Sequence, residues 1–307
     1  MNPAFSVVIF TTVAGAAQGL VVSLIVALLA GVTMSASFAG GALLIAEAML
    51  LIGLGASFAH LGRPERAWRA VLMWRTSWLS REVIVLPMFI AAVAALWLAL
   101  RYGYELRGLA FVVLLLAALL WYCTAMIYAC IRFIQEWAQP LTLVNFALIG
   151  LSSGLMLACA LAAWRHEAEL LQALGPWALG VTLLAMATRL LTLRRNAQLK
   201  PKSTLQSATG IKTPKLVQTS MGMSAGSFNT REFFHGRSMD LLRHVRWGFV
   251  LLGFVLPACV ALTGLITHQP AAWLLTVLLQ APGLVAERWF FFAQARHPQN
   301  LYYQRVS

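Results

Sequence analysis

The chain has 307 residues, is 60% hydrophobic with a mean hydropathy of +0.77, and carries charge on only 11% of its positions. Soluble domains charge nearer a quarter of their residues, so a soluble globular fold is excluded and a polytopic membrane protein is expected. The net charge of +13 does not point to nucleic acid, because the basic residues flank apolar runs and form no single soluble face; anionic lipid and a docked protein are the partners it suggests.

A helix rising about 1.5 Å per residue needs roughly 20 apolar residues to cross the hydrocarbon of a bilayer. Eight such runs follow one another, at about 7–30, 38–59, 83–100, 109–133, 141–164, 170–193, 245–267 and 271–293. The first has no Lys or Arg before it, unlike a cleavable signal, and is read as span 1. Small residues recur in spans 1 and 2, as in Ala14-Gly15-Ala16-Ala17, Gly19 and Gly40-Gly41, which lets helices approach closely. Span 2 also holds Glu47 near its middle. An intramembrane carboxyl is either protonated and bonded to a neighbouring helix or part of a proton relay, and residue types alone leave both open.

Span 2 leads into the densest polar stretch of the chain, 57–82, with His60, Glu65, Glu82 and the arginines Arg63, Arg66, Arg69, Arg75 and Arg81. The order Pro64, Trp68, Val71, Leu72 predicts a short amphipathic helix beginning at Pro64, and Trp68, Trp74 and Trp78 put it at headgroup level, above His60. His60 ends span 2 and Glu82 opens span 3, so both can flank one pocket. A His titrating near neutrality can exchange a proton with a quinone oxygen, and a nearby carboxylate can orient it or relay its proton. The bland alternative is a helix-end His bonded to a carbonyl and a Glu favoured by the dipole of span 3.

Cys123, Cys130, Cys159 and Cys259 lie dispersed in spans with no C-x-x-C pair, so they read as small core residues and no iron-sulfur cluster is assigned to this chain. Haem is disfavoured, since His60, His166, His235, His244, His268 and His297 all fall at span ends or in loops. The segment 194–244 holds nine basic and two acidic residues. It reads either as a tether drawn to anionic lipid or as a docking surface for a cytoplasmic subunit, and Phe233, Phe234, Leu241 and Leu242 among Arg231, Arg237 and Arg243 suit a segment lying on the membrane. Beyond it follow spans 7 and 8. Of the 23 Lys and Arg, only Arg101, Arg107 and Arg165 fall to the loops after odd spans. The positive-inside rule then puts both termini, the His60 loop and the long loop in the cytoplasm.

The pattern His60-Leu-Gly62-x-Pro64-x-Arg66 leaving span 2, with Ser80-Arg81-Glu82 opening span 3 in an eight-span chain, resembles the DMSO reductase membrane-anchor (DmsC) family. The resemblance implies an all-α, cofactor-free anchor in the bacterial cytoplasmic (inner) membrane that exchanges electrons with ubiquinone or menaquinone. It makes His60 and Glu82 the reacting pair at the quinone, with Gly62 and Arg66 shaping the site. It also implies a docked iron-sulfur subunit and a catalytic molybdopterin subunit, which hold the clusters and the molybdenum. The inward-facing loop and the insert, with Lys212-Thr-Pro214 and Ser227-Phe-Asn-Thr-Arg231, look like the branch that anchors cytoplasmic sulfite dehydrogenases. That branch passes electrons from sulfite to quinone. The alternative within the family is quinol oxidation feeding a DMSO-type reductase. From other classes, a proton-coupled transporter using Glu47, with Pro87, Pro257, Gly53 and Gly55 as hints of broken helices, and a scaffold without a quinone site remain open.

Overall fold

The computed structural model describes residues 3–59, 61–216 and 239–298, with the side chain of Met239 outside that description. Its described residues are helical with no strand: α1 (Phe5–Leu29), α2 (Ala36–Phe58), a 3₁₀ helix (Pro64–Met73), α3 (Trp78–Tyr102), α4 (Arg107–Ala129), α5 (Pro140–Trp164), α6 (Ala168–Ala197), a short α7 (Leu205–Thr209), α8 (Met239–Val250), a π-helical turn (Leu251–Val255), α9 (Leu256–Thr267) and α10 (Pro270–Ala293). Among the described residues eight helices are long and apolar enough to cross a membrane, α8 to α9 counting as one span over Asp240–Thr267. This is the all-α, eight-span architecture that the apolar runs predict.

Capping chemistry sets many of the ends. Ser35 and Ser77 accept from the backbone N–H of Phe38 and Ser80 at the starts of α2 and α3, and Pro140 and Pro270 occupy the first turns of α5 and α10. Gly103 closes α3 at φ +71°, a left-handed conformation that favours glycine. On the face opposite the 3₁₀ helix, the side chains of Thr33 and Ser35 donate to Glu169 and Glu167, tying the α1–α2 turn to the α5–α6 turn.

Lipid tails are as apolar as leucine, so helices in a bilayer are held by close packing and interhelical hydrogen bonds. Both are visible around α5, which packs against α1, α4, α6 and α10. Where α1 crosses α5, a Cβ on Gly154 would overlap the backbone of Gly19 and Leu20, and one on Gly150 would stand 3.0 Å from the Gly15 oxygen. The small residues of span 1 serve this crossing. In span 2, by contrast, Gly41 faces open space. A second backbone contact joins Gly283 of α10 to Gly253 in the π-helical turn. Polar links cross the interior: Asn145 Nδ2 donates to Thr192 Oγ1 at 2.8 Å, Ser152 and Thr182 share a bond of 2.6 Å, and Gln280 Nε2 donates to Ser152 Oγ at 3.1 Å.

Span 7 is irregular for a local reason. Pro257 has no N–H, so the carbonyl of Gly253 loses its partner four residues on, and the chain relaxes into the π-helical turn. Gln280 Nε2 reaches that freed oxygen at 3.4 Å. Pro87 is also accommodated inside a continuous helix, as are Pro176 of α6 and Pro282 of α10, two further intramembrane prolines.

Several boundaries differ from the sequence expectation. Helix α3 begins at Trp78 and not near 83, so Arg81 and Glu82 are already helical. Helix α4 ends at Ala129, and the segment that follows folds under the end of α10, with Ile134 and Trp137 buried and Trp137 Nε1 donating to the Phe291 oxygen at 3.0 Å. The long segment 194–244 is helical at both edges, since α6 runs through Arg194 and Arg195 to Ala197 and α8 starts at Met239. Leu241, Leu242, Arg243 and His244 therefore belong to α8, while Arg231, Phe233, Phe234, His235 and Arg237 lie outside the described residues.

Candidate functional site

The predicted amphipathic helix is present and starts at Pro64, wound as 3₁₀. Its apolar side chains are not covered: Trp68, Leu72, Met73 and Trp74 are all exposed, as a segment resting on lipid or on a partner requires. What fixes it to the bundle is Arg81, one turn inside α3. Its Nε donates to the Trp74 oxygen and its Nη2 to the Arg75 oxygen, both at 2.9 Å, while the guanidinium lies 4.0 Å over the Trp78 ring. The carbonyls left open after the 3₁₀ helix are thus closed by a charge-assisted fork.

The next residue points the other way. Glu82 is only 4% exposed and accepts a hydrogen bond from the Thr124 hydroxyl of α4. The Cys123 thiol and the Tyr128 hydroxyl, both on α4, lie within range of its charge. Gly62 stands on the exposed loop with open space at its Cα, and Arg66, in the exposed first turn of the 3₁₀ helix, is paired at 3.9 Å with Glu65. His60 lies outside the described residues. Of the four predicted site residues, the structure thus places two on the outer surface and one beneath it, inside the bundle.

A larger polar group went unsignalled by the loop. Arg189 of α6 and Glu287 of α10, each about 1% exposed, pair at 2.7 Å, and Arg288 at 4% approaches the second Glu287 oxygen at 3.6 Å. The Arg288 guanidinium stacks 3.9 Å over Phe146, and that of Arg189 lies 5.5 Å over Phe249. Both arginines therefore leave the tally of surface charges used for orientation. The signal that reveals them is ionisable residues inside two apolar runs, at matching distances from the same face. Glu47, the carboxyl that stands out most in the sequence, is half-buried on α2, and its Oε2 has no hydrogen-bond partner.

Between Glu82 and Arg288 lies a narrow cleft, framed by α1, α4, α5 and α10. Thr11, Thr12, Gln18, Thr124, Ser153 and Arg288 supply its polar lining, and Phe10, Leu120, Phe146 and Leu284 are among its apolar walls. Thr124 belongs to both places, bonding Glu82 and facing the cleft. Tyr128, stacked on Phe146, lies within reach of the charges of Glu82 and Arg288. Among the described residues no group of His, Cys, Asp and Glu is arranged to hold a metal ion.

Eight spans, an exposed aromatic helix roofing the α2–α3 connection and a buried carboxyl at its root give a profile that comparison with known proteins can test. Along its full length the chain is 46% identical, over 326 aligned residues, to a sulfite dehydrogenase subunit of Allochromatium vinosum, with both chains covered completely. The family model described as DMSO reductase anchor subunit (DmsC) matches residues 1–292, and the chain belongs to that family of multi-pass membrane proteins.

Proposed function

We propose that this protein is the membrane-anchor and quinone-reacting subunit of a three-subunit molybdopterin and iron-sulfur oxidoreductase that passes electrons from cytoplasmic sulfite oxidation to quinone. The observation that carries the reading is the complete, 46% identical alignment with a subunit of a sulfite dehydrogenase. An iron-sulfur subunit would dock over the 3₁₀ helix, whose exposed Trp68 and Trp74 and neighbouring Arg66 and Arg69 offer apolar and cationic contacts together. The basic segment 194–244 would extend that surface, and the catalytic subunit would sit beyond it.

The residues around the loop suit a quinone. The loop combines apolar surface at lipid level with a carboxyl directly behind it, which matches an amphipathic ring on an isoprenoid tail. Two-electron, two-proton acceptance is the chemistry that a quinone supplies there. His60 would hold one quinone oxygen by hydrogen bond and exchange its proton. Glu82, buried and bonded to Thr124, would hold the proton that His60 gains or loses. Gly62, lacking a side chain, keeps the loop open to the ring, and Arg66 would favour negative charge on the oxygen being reduced.

Mild purification tests the assignment. Molybdenum and iron-sulfur subunits should leave the membrane with this chain, and the isolated complex should reduce quinone with sulfite. Recovery as a lone polypeptide would overturn the proposal. In an assembled complex, His60→Ala should abolish sulfite-to-quinone turnover while sulfite oxidation with an artificial acceptor continues.

A further inference from the structure

We propose that the cleft between α1, α4, α5 and α10 holds ordered water and carries protons to Glu82 through the Thr124 hydroxyl. The inference rests on the reading of Glu82 as the proton-holding group of the quinone site, and it adds where those protons come from.

Size decides what the cleft takes. Its water-accessible volume is about 20 Å³, room for about one or two waters and far too little for an aromatic headgroup. Its lining decides that water is stable there, since a buried water needs two to four polar partners. Thr11 Oγ1 donates to the Val7 oxygen at 2.8 Å and Ser153 Oγ to the Gly150 oxygen at 2.9 Å. These hydroxyls have spent their protons on their own helices, so what they retain for the cleft is acceptor capacity. Donors come from Arg288, whose guanidinium is met, among the described residues, by one carboxylate oxygen at 3.6 Å and two ring faces.

Thr124 makes the cleft a relay. Its hydroxyl proton already points at Glu82 Oε1, and its oxygen lone pairs are left to accept from the cleft side. When Glu82 is a carboxylate, the Thr124 proton moves to it as a cleft water gives one to the Thr124 oxygen. The next water restores the first and takes its own proton from solvent beyond the Thr11 end of the cleft, no electron moves, and one proton is displaced along the chain. Arg189, Glu287 and Arg288 together carry one positive charge, so protonation of Glu82 moves the summed charge of the four groups from zero to plus one.

The path is one-sided. Along α1 the cleft runs from Thr11 to Gln18, about 10 Å at the helical rise, and reaches roughly the middle of that helix. Towards the far face a separate cavity, between α1, α2 and α3, is lined by Leu24, Ile25, Leu43, Leu96 and Leu100 and offers the relay no further hydroxyl.

The test uses the intact three-subunit complex. Thr124→Val should lower sulfite-to-quinone turnover at least tenfold, raise its solvent deuterium isotope effect and slow deuterium exchange of the Glu82 carboxyl band in difference infrared spectra. Thr124→Ser should restore all three, and sulfite oxidation with an artificial acceptor should not change in either variant. Gln18→Leu, at the inner end of the cleft, should slow the same exchange and serves if Thr124→Val does not assemble. Unchanged turnover and exchange in these variants, with Glu82→Gln inactive towards quinone, would overturn the relay and leave the quinone reading standing. Full activity of Glu82→Gln would overturn both.

Discussion

Replacing Glu287 by Gln strips the carboxylate from between two buried guanidiniums. The Arg189 contact of 2.7 Å lies between side chains that are each about 2% exposed, so it is a buried pair in which truncating one partner strands the other charge. Breaking such a pair costs about 3–5 kcal/mol. The chain unfolded within a bilayer or micelle also finds polar partners, which favours the lower end, about 3 kcal/mol. At about 2–4 °C per kcal/mol for a chain of this class, Glu287→Gln should lower the midpoint of thermal unfolding by roughly 6–12 °C. Tryptophan fluorescence of the purified complex in mild detergent reads it out. Removing both charges of the pair, as Arg189→Met with Glu287→Leu, should cost less than Glu287→Gln alone, because desolvation of an ion pair offsets most of its attraction. A midpoint within about 2 °C of the parent for Glu287→Gln, or a double variant worse than the sum of its single changes, would refute the reasoning.

Other changes probe other parts of the molecule. Gly154→Ala places a methyl group on the backbone of Gly19 and Leu20, which cannot rotate away, so α1 and α5 must part; a loss of at least about 1–3 kcal/mol is expected, seen as a lower unfolding midpoint. Arg81→Ala removes two charge-assisted bonds to the end of the 3₁₀ helix and should raise amide hydrogen exchange over 66–76 selectively, with Arg81→Lys restoring only part because it lacks the fork. Single-cysteine labelling in a background lacking Cys130 and Cys259 should modify Glu105→Cys and Thr209→Cys from opposite sides of the membrane, with Thr209→Cys reacting from the cytoplasm; labelling of both from one side would overturn the orientation read from the basic loops.

The spans were legible because hydrocarbon thickness fixes helix length. Ends at Trp164, Thr267 and Ala293 coincide with the ends of the apolar runs, where the next residues are Arg165, His268 and Gln294. The apolar run places the start of α3 too late, because charged residues mark the edge of a run without ending the helix. Ser77 caps the helix before Arg81, and Arg81 turns back to the surface segment while Glu82 turns in. The π-helical turn is not written in hydropathy; it needs Pro257 together with a glutamine on another helix. Arg189 hides for a related reason, since it is the one charge in a long apolar run and its meaning depends on the Glu287 carboxylate that another helix brings to it.

Arg81 and Glu82 share a peptide bond but serve opposite sides of the protein. One grips the ends of the surface helix, the other sits among the core helices against Thr124. The first turn of α3 therefore joins the surface helix to the core through two adjacent residues, so whatever bears on Trp68 and Trp74 bears on the same helical turn that carries the buried carboxyl.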